Sequence, residues 1–67
     1  MNWTQVQGKW GQVKGKVRSS WGKLTDDDLS NIAGKRDVLV GKIVERYGVL
    51  KENAERDVDA WIARLPP

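Results

Sequence analysis

Apolar residues recur with helical spacing through the N-terminal part of the chain, at Trp3, Val6, Trp10, Val13, Val17, Trp21 and Leu24. At 100° per residue they span a stripe about 80° wide, as in an amphipathic helix facing a core. Gly8, Gly11, Gly15 and Gly22 gather roughly opposite that stripe. Each glycine costs about 1 kcal/mol relative to alanine inside a helix. A break is therefore expected near Gly8 to Gly11, with a helix from about Trp10 to Lys23 after it. Thr25-Asp26-Asp27-Asp28 opens the next helix. Thr25 caps it and Asp28 completes a capping box, and three carboxylates suit the positive end of the helix dipole. It is predicted from Asp26 to Ala33, with Leu29, Ile32 and Ala33 inward and Gly34 as its C-terminal glycine. A further segment, Lys35 to Tyr47, carries Leu39, Val40, Ile43, Val44 and Tyr47 on one side and closes at Gly48. The last, Lys51 to Leu65, aligns Leu50, Ala54, Val58, Trp61, Ile62 and Leu65, and Pro66-Pro67 stops it. Nothing alternates over a strand length, so the class is all-α, with four to five short helices.

The pattern repeats. Shifted by 26 positions, Gly8-Lys9 falls on Gly34-Lys35, Gly15-Lys16 on Gly41-Lys42, Gly22 on Gly48 and Leu24 on Leu50. The apolar positions pair as Trp3/Leu29, Val6/Ile32, Val13/Leu39, Val17/Ile43 and Trp21/Tyr47. The repeats cover approximately residues 3–24 and 29–50, with a closing helix at 51–65, in one domain spanning 1–67. Each unit reads as a short helix, a Gly-Lys turn and a longer helix, and two such hairpins pack across each other around one core. The paired positions, with Trp10, Val58 and Trp61, are the predicted core, and Trp61 seals it from the final helix.

Composition removes several kinds of chemistry. There is no Cys and no His among the 67 residues, so disulfides, thiolate metal sites and the commonest general base are absent. No apolar run approaches the roughly 20 residues of a spanning helix. Met1-Asn2-Trp3-Thr4-Gln5 lacks the charged and apolar regions of a signal peptide. A soluble cytoplasmic protein is expected. Gly-Lys occurs five times but never in the frame of a phosphate-binding loop. The Asp26–Asp28 run lacks the alternation, glycine and distal Glu of a calcium loop. The reading is therefore non-enzymatic, with no cofactor and no metal. Charge is uneven: residues 1–24 hold five bases and no acid, whereas residues 25–67 hold nine acids and seven bases. A basic half points to an anionic partner.

Gly15-Lys16-Val17, Trp21-Gly22-Lys23-Leu24-Thr25-Asp26-Asp27-Asp28-Leu29, Gly34-Lys35-Arg36-Asp37, Leu39-Val40-Gly41-Lys42-Ile43 and Glu45-Arg46-Tyr47-Gly48 together resemble the CsbD-like family of small bacterial proteins. The resemblance runs over nearly the whole chain and is close to YjbJ-type members. It implies a cytoplasmic protein of four or five helices, similar to two orthogonally packed hairpins of the SAM-domain-like kind. It also implies a link to the general stress response. The family brings no established biochemical activity, so the resemblance supplies no mechanism.

Two kinds of partner fit the residues. Leu29-x-x-Ile32-Ala33-Gly34-Lys35-Arg36, with Val40 and Ile43, resembles a helix-hairpin-helix, in which a glycine turn offers backbone N–H groups to a phosphate. Lys9, Lys16, Lys35, Arg36 and Lys42 are then the candidate contacts to nucleic acid. Arg36 occupies the position of the second turn glycine, and Asp37 adds a carboxylate there. The other partner is a protein, approached through the glycine face of the first segment. A membrane-surface role is disfavoured, because the core of so small a domain needs the same apolar stripe.

Overall fold

The computed structural model describes residues 1–66, so of the two terminal prolines Pro67 lies outside the described residues. Five helices form: α1 (Trp3–Gly8), α2 (Trp10–Ser20), α3 (Asp26–Ile32), α4 (Arg36–Tyr47) and α5 (Lys51–Arg64). No strand occurs among the described residues.

Two reciprocal caps fix where helices begin. The Gln5 N–H donates to Asn2 Oδ1 at 2.8 Å, and the Asn2 N–H donates to Gln5 Oε1 at 2.9 Å, starting α1. The Asp28 N–H donates to Thr25 Oγ1 at 3.1 Å, and the Thr25 N–H donates to Asp28 Oδ2 at 3.0 Å, starting α3 as predicted. The expected break falls at Lys9, whose φ of −116° is non-helical. Four ends differ from expectation, α4 and α5 by one residue each, with Lys35 capping the start of α4 and Leu65 the end of α5. α2 stops at Ser20 rather than Lys23, because Trp21 leaves the helix with φ −130° and ψ 79° to enter the core. α3 stops at Ile32, and Ala33 itself takes the left-handed C-cap with φ 47°. Ala33 is thus exposed rather than inward. Gly34 continues the reversal at φ 81°, and Gly48 ends α4 at φ 63°.

Helix α4 is central: it packs against both α3 and α5, while α1 packs against α2. Val6, Val13, Val17, Trp21, Leu29, Ile32, Leu39, Ile43, Val58 and Trp61 are buried, joined by Leu24, Val40 and Ala54. Trp3, Trp10 and Tyr47 are half-buried and pack against that core rather than lying within it. Trp61 stands between two other indoles, with ring centroids 6.3 Å from Trp3 and 5.4 Å from Trp21. Leu50 departs from its helical register. It is the N-cap of α5 with extended backbone, and it is 70% exposed, unlike its repeat partner Leu24.

Candidate functional site

Basic side chains divide into those already committed and those that are not. Arg36, at the start of α4, reaches across to α5. Its Nε and Nη2 donate to the Asp59 carboxylate at 3.0 and 3.2 Å, and Glu55 lies 3.6 Å from Nη2. The Asp59 hydrogen bond raises the guanidinium pKa. Lys42 on α4 lies 3.6 Å from Asp28 and 3.8 Å from Glu45. Of the five candidate nucleic-acid contacts, these two are held in internal ion pairs and do not present a free charge. Lys9, Lys16 and Lys35 are exposed and unpaired among the described residues.

The turn itself does not fit a phosphate cradle. Gly34 is buried against α1, where a Cβ at this position would stand 2.6 Å from Gln7 Cα. Helix packing and positive φ thus account for this glycine, with no anion required. Asp37 also lines the groove beside the turn, bringing negative charge to the place a phosphate would occupy.

Asp28 is a second departure. Its role as a cap was legible, but the carboxylate is also buried and held by Arg46, whose Nε and Nη2 donate at 2.8 and 3.0 Å. The Arg46 hydrogen bonds, then the Thr25 N–H, hold this carboxyl far below the usual carboxylate range. Asp26 pairs instead with Arg18. Asp26 and Asp28 thus turn to different partners, Asp27 has none among the described residues, and no group of three or more potential metal ligands forms among them.

What remains uncommitted is the outer face of α2. Gly11 and Gly15 lie along it, and a Cβ at either would meet nothing within 4 Å. At 100° per residue, Lys14 and Arg18 fall on one side of these glycines, and Lys9 and Lys16 on the other. Between α2 and α3 a groove of about 480 Å³ is lined by Trp10, Lys14, Gly15, Arg18, Leu29 and the start of α3. The Trp10 indole N–H donates to the Leu29 carbonyl at 3.1 Å, which fixes the ring as a wall of the groove. Lys23 is placed elsewhere, over the Tyr47 ring at 5.1 Å from its centroid, while its backbone N–H donates to Tyr47 Oη.

A family model described as CsbD-like matches residues 4–56. The chain is 59% identical over 64 residues to the UPF0337 protein YjbJ of Escherichia coli strain CFT073, covering 96% of this chain and 93% of that protein. It is 61% identical over 61 residues to the UPF0337 protein ECA0631 of Pectobacterium atrosepticum, covering 91% and 88%. It is 54% identical over 65 residues to the UPF0337 protein RPA4217 of Rhodopseudomonas palustris, covering 97% and 98%. None of the described helices is long and apolar enough to cross a membrane.

Proposed function

The chain belongs to the CsbD-like family, and from that premise we propose that it is a non-enzymatic cytoplasmic protein of the general stress response, acting through contact with other proteins. One observation carries this reading. The outer face of α2 carries Gly15 at mid-helix and Gly11 in the first turn, where no neighbouring element among the described residues approaches. Gly15 weakens the helix interior by about 1 kcal/mol relative to alanine. Such bare backbone is of use to something that comes close from outside, and the adjoining groove with its fixed indole gives that contact an apolar anchor. A photo-crosslinking amino acid placed at position 15 in living, stressed cells tests the reading. A discrete partner identified by mass spectrometry is expected, with none captured from position 60 on the outer side of α5. Equal capture from both positions overturns it.

A second reading has its own support. No side-chain carboxylate occurs in residues 1–25, and Lys9, Lys14 and Lys16 are exposed and, among the described residues, unpaired around α2. Non-specific nucleic-acid binding then runs along α2 rather than through the Gly34–Lys35 turn. Anisotropy titrations with duplex DNA and RNA at about 50 and 200 mM salt check it, since phosphate binding weakens steeply with salt. Charge reversal at Lys9 and Lys16 should abolish such binding, and absence of binding at the lower salt removes this reading.

A further inference from the structure

A second groove, about 420 Å³, lies between α4 and α5. It answers the α2–α3 groove position by position. Trp10, Lys14, Gly15 and Arg18 of the first correspond, 26 residues on, to Arg36, Val40, Gly41 and Val44 of the second. Both are floored by a glycine with open space where its Cβ would stand. Their electrostatics differ. In the second groove Arg36 is met by Glu55 and Asp59, two carboxylates one helical turn apart on α5, and Val40 and Val44 stand where the first groove has Lys14 and Arg18, while Lys51 of α5 also lines it. Its α4 cation is satisfied from within. In the first, among the described residues, Lys14 has no carboxylate partner, and Arg18 has only Asp26, in a pair whose side chains are 53% and 85% exposed. Such an exposed pair is weak and easily exchanged.

We propose that the α2–α3 groove docks an acidic amphipathic helix of a partner protein, with carboxylates one turn apart facing Lys14 and Arg18 and an apolar side chain seated against Trp10. The proposal rests on the protein-contact reading above and supplies the partner's chemistry. Three observations select this occupant. The charge is complementary, and α5 already does the same to Arg36 inside the molecule. Trp10 and Arg18 are eight residues apart on α2, about 12 Å at 1.5 Å per residue, which is roughly two turns of a partner helix. The bare backbone at Gly15 admits a helix at short range. A second copy of this chain is a poor occupant. Two α2 faces would set lysine against lysine. Among the described residues the side-chain carboxylates left unpaired, Asp27, Glu52 and Asp57, are scattered, and the latter two sit next to Lys51 and Arg56 respectively.

The test uses the full chain and a fluorescein-labelled 15-residue peptide of alanine, with glutamates at i, i+4 spacing flanking one leucine. A scrambled peptide and a single-stranded oligothymidine serve as controls. Saturable anisotropy at about 20 mM salt is expected for the patterned peptide, with quenching of Trp10. Gly15→Leu and Lys14→Glu should each weaken it by about tenfold or more, as for residues central to an interface. Gly41→Leu, in the twin groove, should leave it unchanged. Because a Cβ at position 15 would meet no neighbour, Gly15→Leu should fold with native circular dichroism and melt no lower than the parent. Failure of the patterned peptide to saturate overturns the proposal. So does equal binding of the scrambled peptide or the oligothymidine, which would make the face a general polyanion surface. So does unchanged binding by a folded Gly15→Leu variant. Crosslinking from position 15 without peptide binding would sink this proposal alone, and loss of the crosslinks would sink the reading beneath it.

Discussion

A methyl group at position 34 has nowhere to go. It would meet the α1 backbone at 2.6 Å from Gln7 Cα, on a residue whose φ is already +81°. Gly34→Ala is expected to cost more than about 2 kcal/mol, since strain and overpacking act together. Gly48→Ala faces only the backbone penalty, as φ is +63° with open space around it, so about 1 kcal/mol is expected. Gly15→Ala and Gly41→Ala should go the other way, adding up to about 1 kcal/mol each, because neither position meets a neighbour. Urea unfolding of the four variants checks both the signs and the order. Asp28 gives a pH signature. Its carboxyl is held below its ordinary value in the folded state, chiefly by Arg46. Its contribution is therefore complete above the unfolded carboxylate pKa near 4 and fades as pH falls below that. Asp28→Asn should be less stable than the parent at neutral pH. The gap between the two should narrow as the melting series is taken from about pH 5 towards pH 2. A gap independent of pH would refute the assignment.

At the scale of elements, the Thr25–Asp28 capping box is the firmest local prediction. Thr25→Ala should lower stability by about 1 kcal/mol, measurable as a lower denaturation midpoint with unchanged slope. Its legibility has a simple cause: a cap is a contact between residues three apart, and periodicity reveals such contacts. The same reasoning located the last four helices to within a few residues, left the first as a short helix before the Gly8-Lys9 turn, and found most of the buried side chains. It was blind where the partner lies far along the chain. Nothing near Asp28 announces Arg46, 18 residues away, and nothing near Arg36 announces Asp59, 23 away. The Arg36–Asp59 pair, and Lys42 drawn beside Asp28, removed cations from the candidate nucleic-acid surface. Leu50 failed for a different reason. It sits one residue before α5 begins, where extended backbone turns its side chain away from the stripe it extends in sequence. The α2–α3 groove was illegible for want of any signal joining Trp10 to Leu29, although the bare glycine face beside it was visible.

For the molecule as a whole, closure depends on the last helix. Trp61 fills the centre of the indole cluster, and the N-terminal ammonium donates to the Leu65 carbonyl at 3.3 Å, tying the two ends together. A domain of this size buries only about 60% of its unfolded surface. Trp61→Ala is expected to cost about 3–5 kcal/mol, a large share of the 5–15 kcal/mol typical of a native protein. The variant should show a greatly depressed or absent thermal transition. The arrangement of indoles also divides the molecule optically. Trp3, Trp21 and Trp61 are close enough to exchange excitation among themselves, so their shared emission reports the integrity of the core. Trp10 stands apart on the groove wall, half-buried, its N–H committed to a carbonyl. With Phe at positions 3, 21 and 61 in a background stabilised at Gly41, or with selective quenching in the parent, its emission becomes a private channel. In the triple-Phe variant occupancy of the groove is then read without a label, and in the parent selective quenching reads it while the other three rings attest that the fold has not moved.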